Sequence, residues 1–172
     1  MSVNTYLLPI SEDELTAILA VPERVRTLVE KRDPEVCSLS YNGPALMFVM
    51  AEGPDDPVLF MERGAPPGLS DWIGRYVVKE GRVTECEVDM GYGPAAYFRN
   101  SFIADMARHL EPWTVERFSE RCDLDELEAQ CLYPMGWRDN GRREELIHSF
   151  EVFKACITSA GRSGRHLLFW SA

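Results

Sequence analysis

Tyr133, Pro134, Trp137, Arg138 and Asp139 make an aromatic loop with polar neighbours, and together with Tyr92 and Tyr97 upstream they supply the candidates for holding a ligand or a partner. A site beside Tyr97, Tyr133, Trp137 and Arg138 would suit a small-molecule enzyme or a ligand sensor, and it requires a concave pocket of about 300 Å³ or more. The competing structural reading makes Trp137 the edge of the core, because large aromatics are usually packed for area.

The other residue types with catalytic potential stop short of a complete set. Glu145-Leu146-Ile147-His148 has the Glu-x-x-His spacing of half a di-iron centre, but a second copy is required, and neither His109 nor His166 follows a glutamate at that distance. His148 also stands two positions from both Leu146 and Phe150, about 200° around a helix, and so faces solvent. Cys122, just ahead of Asp123, is the best placed of the five cysteines for an activated thiol. The structural reading makes it a small buried hydrophobe. Asp123, Asp125, Glu126 and Glu128 are dense enough for paired-carboxylate chemistry, yet they occupy the first turns of a helix, where the dipole favours negative charge. Gly91-Tyr92-Gly93-Pro94 lacks the third glycine and the Lys-Ser/Thr pair of a phosphate loop, and reads as a turn between sheet and helices. There is no Gly-x-Ser-x-Gly elbow. No catalytic residue, metal or cofactor is expected from these patterns.

Composition narrows the class further. A chain of 172 residues with 45% hydrophobic and 27% charged residues fits one globular domain with its own core. A net charge of −10 argues against a nucleic-acid partner, which calls for a basic face, and suits either solubility or a basic protein partner. The longest apolar run, 45–51, is too short to span a bilayer, so no membrane segment is expected. Residues 1–6 carry no basic region of the secretory type, and the chain is expected to start there. Five widely spaced cysteines without a Cys-x-x-Cys pair fit a reducing cytoplasm. The preference for arginine over lysine points to a bacterial source with a GC-rich genome.

The elements that must position these side chains change character at Gly91. Before it, Tyr6-Leu7-Leu8-Pro9-Ile10 reads as a strand, and Ser11-Glu12-Asp13-Glu14 as a capping box for a helix that buries Leu15, Ile18 and Leu19. Pro22 restarts a second helix reaching about Arg32 with Val25, Leu28 and Val29 inward. The apolar blocks 45–51 and 58–61 fit strands or a short buried helix, 64–68 a loop, 70–74 one helical turn, and 82–88 a strand. After the pivot, Asn100 caps a helix with Ile103, Met106 and Leu110 on one face, and Pro112 ends it. Thr114 opens another with Val115 and Phe118 inward, and Asp123 caps a third that carries Leu124, Leu127 and Cys131. Leu146, Phe150, Phe153, Ile157 and Ala160 form the core stripe of a last helix from about Arg142 to Ala160, with Gly161 at its left-handed C′ position. His166-Leu167-Leu168-Phe169-Trp170 then reads as a strand inside the sheet.

Gly91-Tyr92-Gly93-Pro94-Ala95 with Tyr97-Phe98, the helix 101–110, the Thr114 helix start, Leu132-Tyr133-Pro134 with Trp137, and the aromatic last helix before a hydrophobic strand resemble the YfbM-like family of small bacterial proteins. The Ser11-x-x-Glu14-Leu15 helix and the segment 69–74 are similar too. The family is defined as a domain of unknown function. The resemblance implies an α+β fold and brings no reaction with it. Two departures stand out: Ala96 replaces the arginine that relatives tend to carry, and Val36-Cys37-Ser38-Leu39-Ser40-Tyr41-Asn42 replaces a Lys-x-Trp-x-x-x-His-type segment.

The expected fold is a single α+β domain over 1–172, with a mixed or antiparallel sheet packed by helices mainly from the C-terminal half. Two functional readings stay open. The first is a non-enzymatic, acidic, cytoplasmic protein-binding domain, conceivably of the toxin-neutralising kind; the second is the small-molecule site at the aromatic loop. A homodimer is compatible with either.

Overall fold

A computed structural model describes residues 4–50, 88–91, 95–132 and 134–172. The expectations for 58–61, 64–68, 70–74 and the body of 82–88, like Tyr92 and Tyr133, lie outside the described residues. Strand β1 (Thr5–Ile10) runs into helix α1 (Glu12–Ala20), followed by α2 (Arg24–Lys31), the short β2 (Cys37–Ser38) and α3 (Gly43–Met50). Beyond the pivot come β3 (Ala96–Phe98), α4 (Asn100–Leu110), α5 (Val115–Arg121), α6 (Leu124–Ala129), α7 (Arg142–Arg162) and β4 (His166–Ser171).

The four strands pair antiparallel in the order β2-β1-β4-β3. Strands β1 and β4 form the centre over six pairs, from Thr5↔Ser171 to Ile10↔His166. Alternation along each strand then sorts side chains to two faces. Leu7, Phe98, Leu167 and Phe169 join the larger core under α3, α4, α5 and α7. Leu8, Ile10, Leu168 and Trp170 join a smaller one with Leu15 and Ile18 of α1 and Val25 of α2. Tyr6 and Trp170, directly opposed in register, stack with centroids 5.4 Å apart on that second face. The architecture is the expected α+β domain, with the C-terminal helices on one face and the α1–α2 pair on the other.

Local signals account for most helix ends. Ser11 and Glu14 close the capping box: the Glu14 backbone N–H donates to Ser11 Oγ at 3.2 Å, and the Ser11 N–H donates to Glu14 Oε2 at 2.8 Å. Asp123 Oδ1 accepts from the Asp125 and Glu126 N–H groups. The apolar block 45–51 resolves as helix α3, whose Ala45, Leu46, Phe48, Val49 and Met50 are all buried. A helix apolar all round belongs inside the core.

Three positions differ from expectation. Asn100 begins α4 as a helical residue, with Arg99 at the cap position making no side-chain cap bond. The capping acceptor is instead His166 of β4, whose Nδ1 accepts from the Asn100 N–H at 3.0 Å. Cys131 is not on the inward face of α6; it is exposed with φ +51°, because α6 ends in a Schellman turn. There the Leu132 N–H reaches the Leu127 carbonyl and the Cys131 N–H reaches that of Glu128. Gly161 lies within α7 and the left-handed residue is Gly164, φ +64°. Its Schellman bonds run from Arg165 N–H to the Ala160 carbonyl and from Gly164 N–H to that of Gly161. Gly161 serves packing: a Cβ on it would stand 2.8 Å from the Ala107 Cβ of α4.

Candidate functional site

The residues named from the sequence separate in the fold. Tyr97 is half-buried on β3 beside the second-face core, with the Arg99 guanidinium 5.8 Å from its ring centroid. Trp137 is fully buried in the first-face core. Its indole N–H donates to the Leu132 carbonyl at 2.8 Å, and its backbone N–H donates to Glu128 Oε2 at 2.7 Å. The sheet therefore stands between Tyr97 and Trp137, and the two share no pocket. Arg138 points outward, 2.7 Å from Asp125, in an ion pair where both side chains are mostly exposed. Pairs of that kind contribute little.

Arg138 does line an open depression of about 550 Å³ with Glu120, Cys122, Asp123, Asp125 and Arg143. Chemistry at Cys122 is disfavoured there, since burial pushes its thiol above the ordinary value, outweighing the lowering effect of Arg143. His148 is exposed, as its position opposite the core stripe requires. His166 is the buried histidine. With Nδ1 accepting from Asn100, the ring proton lies on Nε2, which faces Glu12 Oε2 at 2.7 Å. Both nitrogens are engaged in joining β4, α4 and α1, so His166 is a structural bolt with no free lone pair for a substrate proton.

One opening among the described residues brings two thiols into the same wall. It is a cleft of about 590 Å³ between the face of α7, β2 and the end of β1, with Cys37 and Cys156 in its wall. Cys37 comes from the first residue of edge strand β2, paired to Leu7 of β1; Cys156 comes from the buried face of α7. Both thiols line that wall, and the Cys37 S–H donates to the Glu35 carbonyl at 3.9 Å. The neighbouring Cys156 thiol, a donor toward a Cys37 thiolate, lowers the half-exposed Cys37 to about 7 despite partial burial. The Cys37 side chain, then burial and the Cys37 charge, push Cys156 up. Ser159, Ser163 and the oppositely charged Glu35 and Arg165, 3.7 Å apart, complete the polar part of the rim. No histidine lines it. Sequence reading missed this pair: strand residue and helix residue are far apart in the chain, and neither lies in a motif.

Arg32 braces the same end of the molecule. Its Nη1 reaches Glu14 Oε1 at 2.7 Å, its Nη2 donates to the Pro9 carbonyl at 3.1 Å, and its Nε pairs with Glu35. Burial raises Glu14, but the Ser11 backbone bond and Arg32 outweigh it and leave the carboxyl below its ordinary 4.5. The folded value is thus depressed, so the contribution is complete above the unfolded pKa and fades as pH falls through the folded one. Arg32→Ala is expected to lose about 1 kcal/mol at pH 7, since Arg32 is mostly buried but Glu14 is partly screened. Urea unfolding at pH 7 and pH 3 should show the gap to wild type narrowing at the lower pH.

A second long-range junction fixes the chain ahead of α3. Tyr41 O–H donates to Glu145 Oε2 at 3.0 Å, Arg142 stacks over the Tyr41 ring at 5.0 Å, and buried Asn42 Nδ2 donates to Ser149 Oγ at 2.9 Å. Residues 41 and 42 are thereby anchored to the first turns of α7.

With the fold and its openings in place, the decisive comparison is with family models: that of a domain of unknown function, DUF1877, matches residues 1–170. The chain belongs to the DUF1877 family. Among solved structures it is similar to YfbM from Escherichia coli, a protein of unknown function, at 14% identity and TM-score 0.57, covering 98% of each chain. That likeness speaks for the fold alone. None of the curated proteins matches. For this DUF1877 chain, the α+β architecture follows from both comparison and coordinates, whereas the chemistry has to be argued from its own residues. Among the described residues no helix is long and apolar enough to cross a membrane, and no group of three or more His, Cys, Asp or Glu side chains is arranged to hold a metal ion.

Proposed function

We propose that the protein is a non-enzymatic, cytoplasmic binding domain whose acidic surface receives a basic protein partner, in the manner of toxin-neutralising inhibitors. The observation that carries this reading is charge: −10 over 172 residues, with Glu120 and Asp125 exposed on the lining of the open depression and Glu116, Asp139 and Glu144 exposed at positions close to that lining in the chain. Such a field steers a cationic partner and raises its association rate. The alternative, a small-molecule site at Tyr97, Tyr133, Trp137 and Arg138, has less support, because Tyr97 and Trp137 lie on opposite faces of the sheet.

The test is affinity capture from the native host at low salt, followed by binding kinetics with a Glu116→Lys/Glu120→Lys/Glu144→Lys variant. A basic protein held by the wild type should associate at least about tenfold more slowly with the variant, and its rate should fall steeply with salt. Absence of any partner, or a partner indifferent to the charge reversal, would rule the reading out.

A further inference from the structure

The geometry points to a second, separate activity: Cys37 and Cys156 form a dithiol site that exchanges with a small disulfide bearing both ammonium and carboxylate groups, of amino-acid or short-peptide type. The placement of the thiols carries it. Cys37 stands half-exposed in a cleft of about 590 Å³, open to a ligand of that size, and the buried Cys156 lines the same cleft from the face of α7. Strand β2 is two residues long and lies at the sheet edge, held by the pairs Tyr6↔Ser38 and Leu7↔Cys37, so the attacking sulfur sits on an element with few constraints. Glu35, held also by Arg32, and Arg165 form an ion pair at 3.7 Å on the rim, into which the carboxylate of a zwitterionic ligand can exchange at Arg165.

The chemistry balances without a further reactant. The Cys37 thiolate attacks one sulfur of the disulfide, forming a mixed disulfide and expelling the first small thiolate. That step removes the negative charge on Cys37, which had disfavoured ionisation of the neighbouring Cys156 thiol. Cys156 then gives its proton to the departing side and attacks Cys37 Sγ, expelling the second small thiolate. The two protein thiols lose two electrons and two protons, and the small disulfide takes up both to leave as two thiols.

The experiment treats the reduced full chain with oxidised glutathione at pH 7, followed by acid quenching and peptide mapping by mass spectrometry. The expected product is a Cys37–Cys156 disulfide, while Cys156→Ser retains one glutathionyl group on Cys37. Iodoacetamide labelling of Cys37 should follow a pH midpoint near 7 rather than the ordinary 9.0. Arg165→Ala should slow the reaction with oxidised glutathione about two- to fivefold, the scale of one exposed charge contact, and leave that with uncharged hydroxyethyl disulfide unchanged. Equal slowing of both removes the zwitterionic ligand class. A wild-type map without the Cys37–Cys156 linkage overturns the site itself, and it does so even if Cys156→Ser does not fold.

Discussion

Trp137→Ala is expected to destabilise the protein by about 3–5 kcal/mol, a large part of the total for a domain of this size. The indole is fully buried in the first-face core, and the backbone N–H of residue 137, which the substitution leaves in place, still holds the 134–141 segment to Glu128, so the space is not readily refilled. Trp137→Phe separates packing from hydrogen bonding. It keeps most of the buried area but leaves the Leu132 carbonyl without its donor, at roughly 1–3 kcal/mol. Urea denaturation followed by far-ultraviolet circular dichroism measures both. A loss below about 0.5 kcal/mol for alanine, the range of ordinary surface substitutions, would mean that this tryptophan is held ready for a ligand after all.

Gly161→Val should cost about 2–3 kcal/mol, and even Gly161→Ala about 1 kcal/mol, opposite in sign to the gain of about 1 kcal/mol that alanine brings to an ordinary helix interior. The reason is contact between helices. A Cβ at this position would lie 2.8 Å from the Ala107 Cβ and 3.3 Å from the Ile103 carbonyl oxygen, neither of which is the far end of a flexible side chain. Gly161 therefore packs directly against α4, and the strain of an added side chain must be taken up by a shift of α4. A double-mutant cycle with Ala107→Gly should recover part of the loss, because removing the opposing methyl removes the overlap. Additive losses would place the penalty elsewhere.

What the sequence made legible was local. The Ser11 box, the Thr114 and Asp123 caps, the stripe of α7 and the interior run of β4 each depend on residues within one or two turns, and each appears where its pattern places it. The two misplaced helix ends are also informative. Gly161 has the identity of a terminator but the task of a spacer, and Cys131 takes a left-handed conformation that its side chain gave no reason to expect. What sequence could not supply was juxtaposition across the sheet. Whether Tyr97 and Trp137 meet is decided by which way β3 faces, and the pairing of Cys37 with Cys156 by the register of β2 on β1. The His166 bolt is invisible for the same reason: its partners, Asn100 and Glu12, come from the first residues of two other elements.

The central ladder joins residues 5–10 to residues 166–171. During synthesis, β1 therefore emerges long before the strand that will satisfy its inner edge, and among the described strands the two-residue β2 is the earlier partner on hand. Leu7, Leu8 and Ile10 must wait for β4, and the loop closed at that moment spans nearly the whole described chain, an arrangement that slows the search for the native state. A nascent chain arrested before residue 166 would thus present an unsealed, apolar strand edge, the kind of surface that chaperones at the ribosome exit shield.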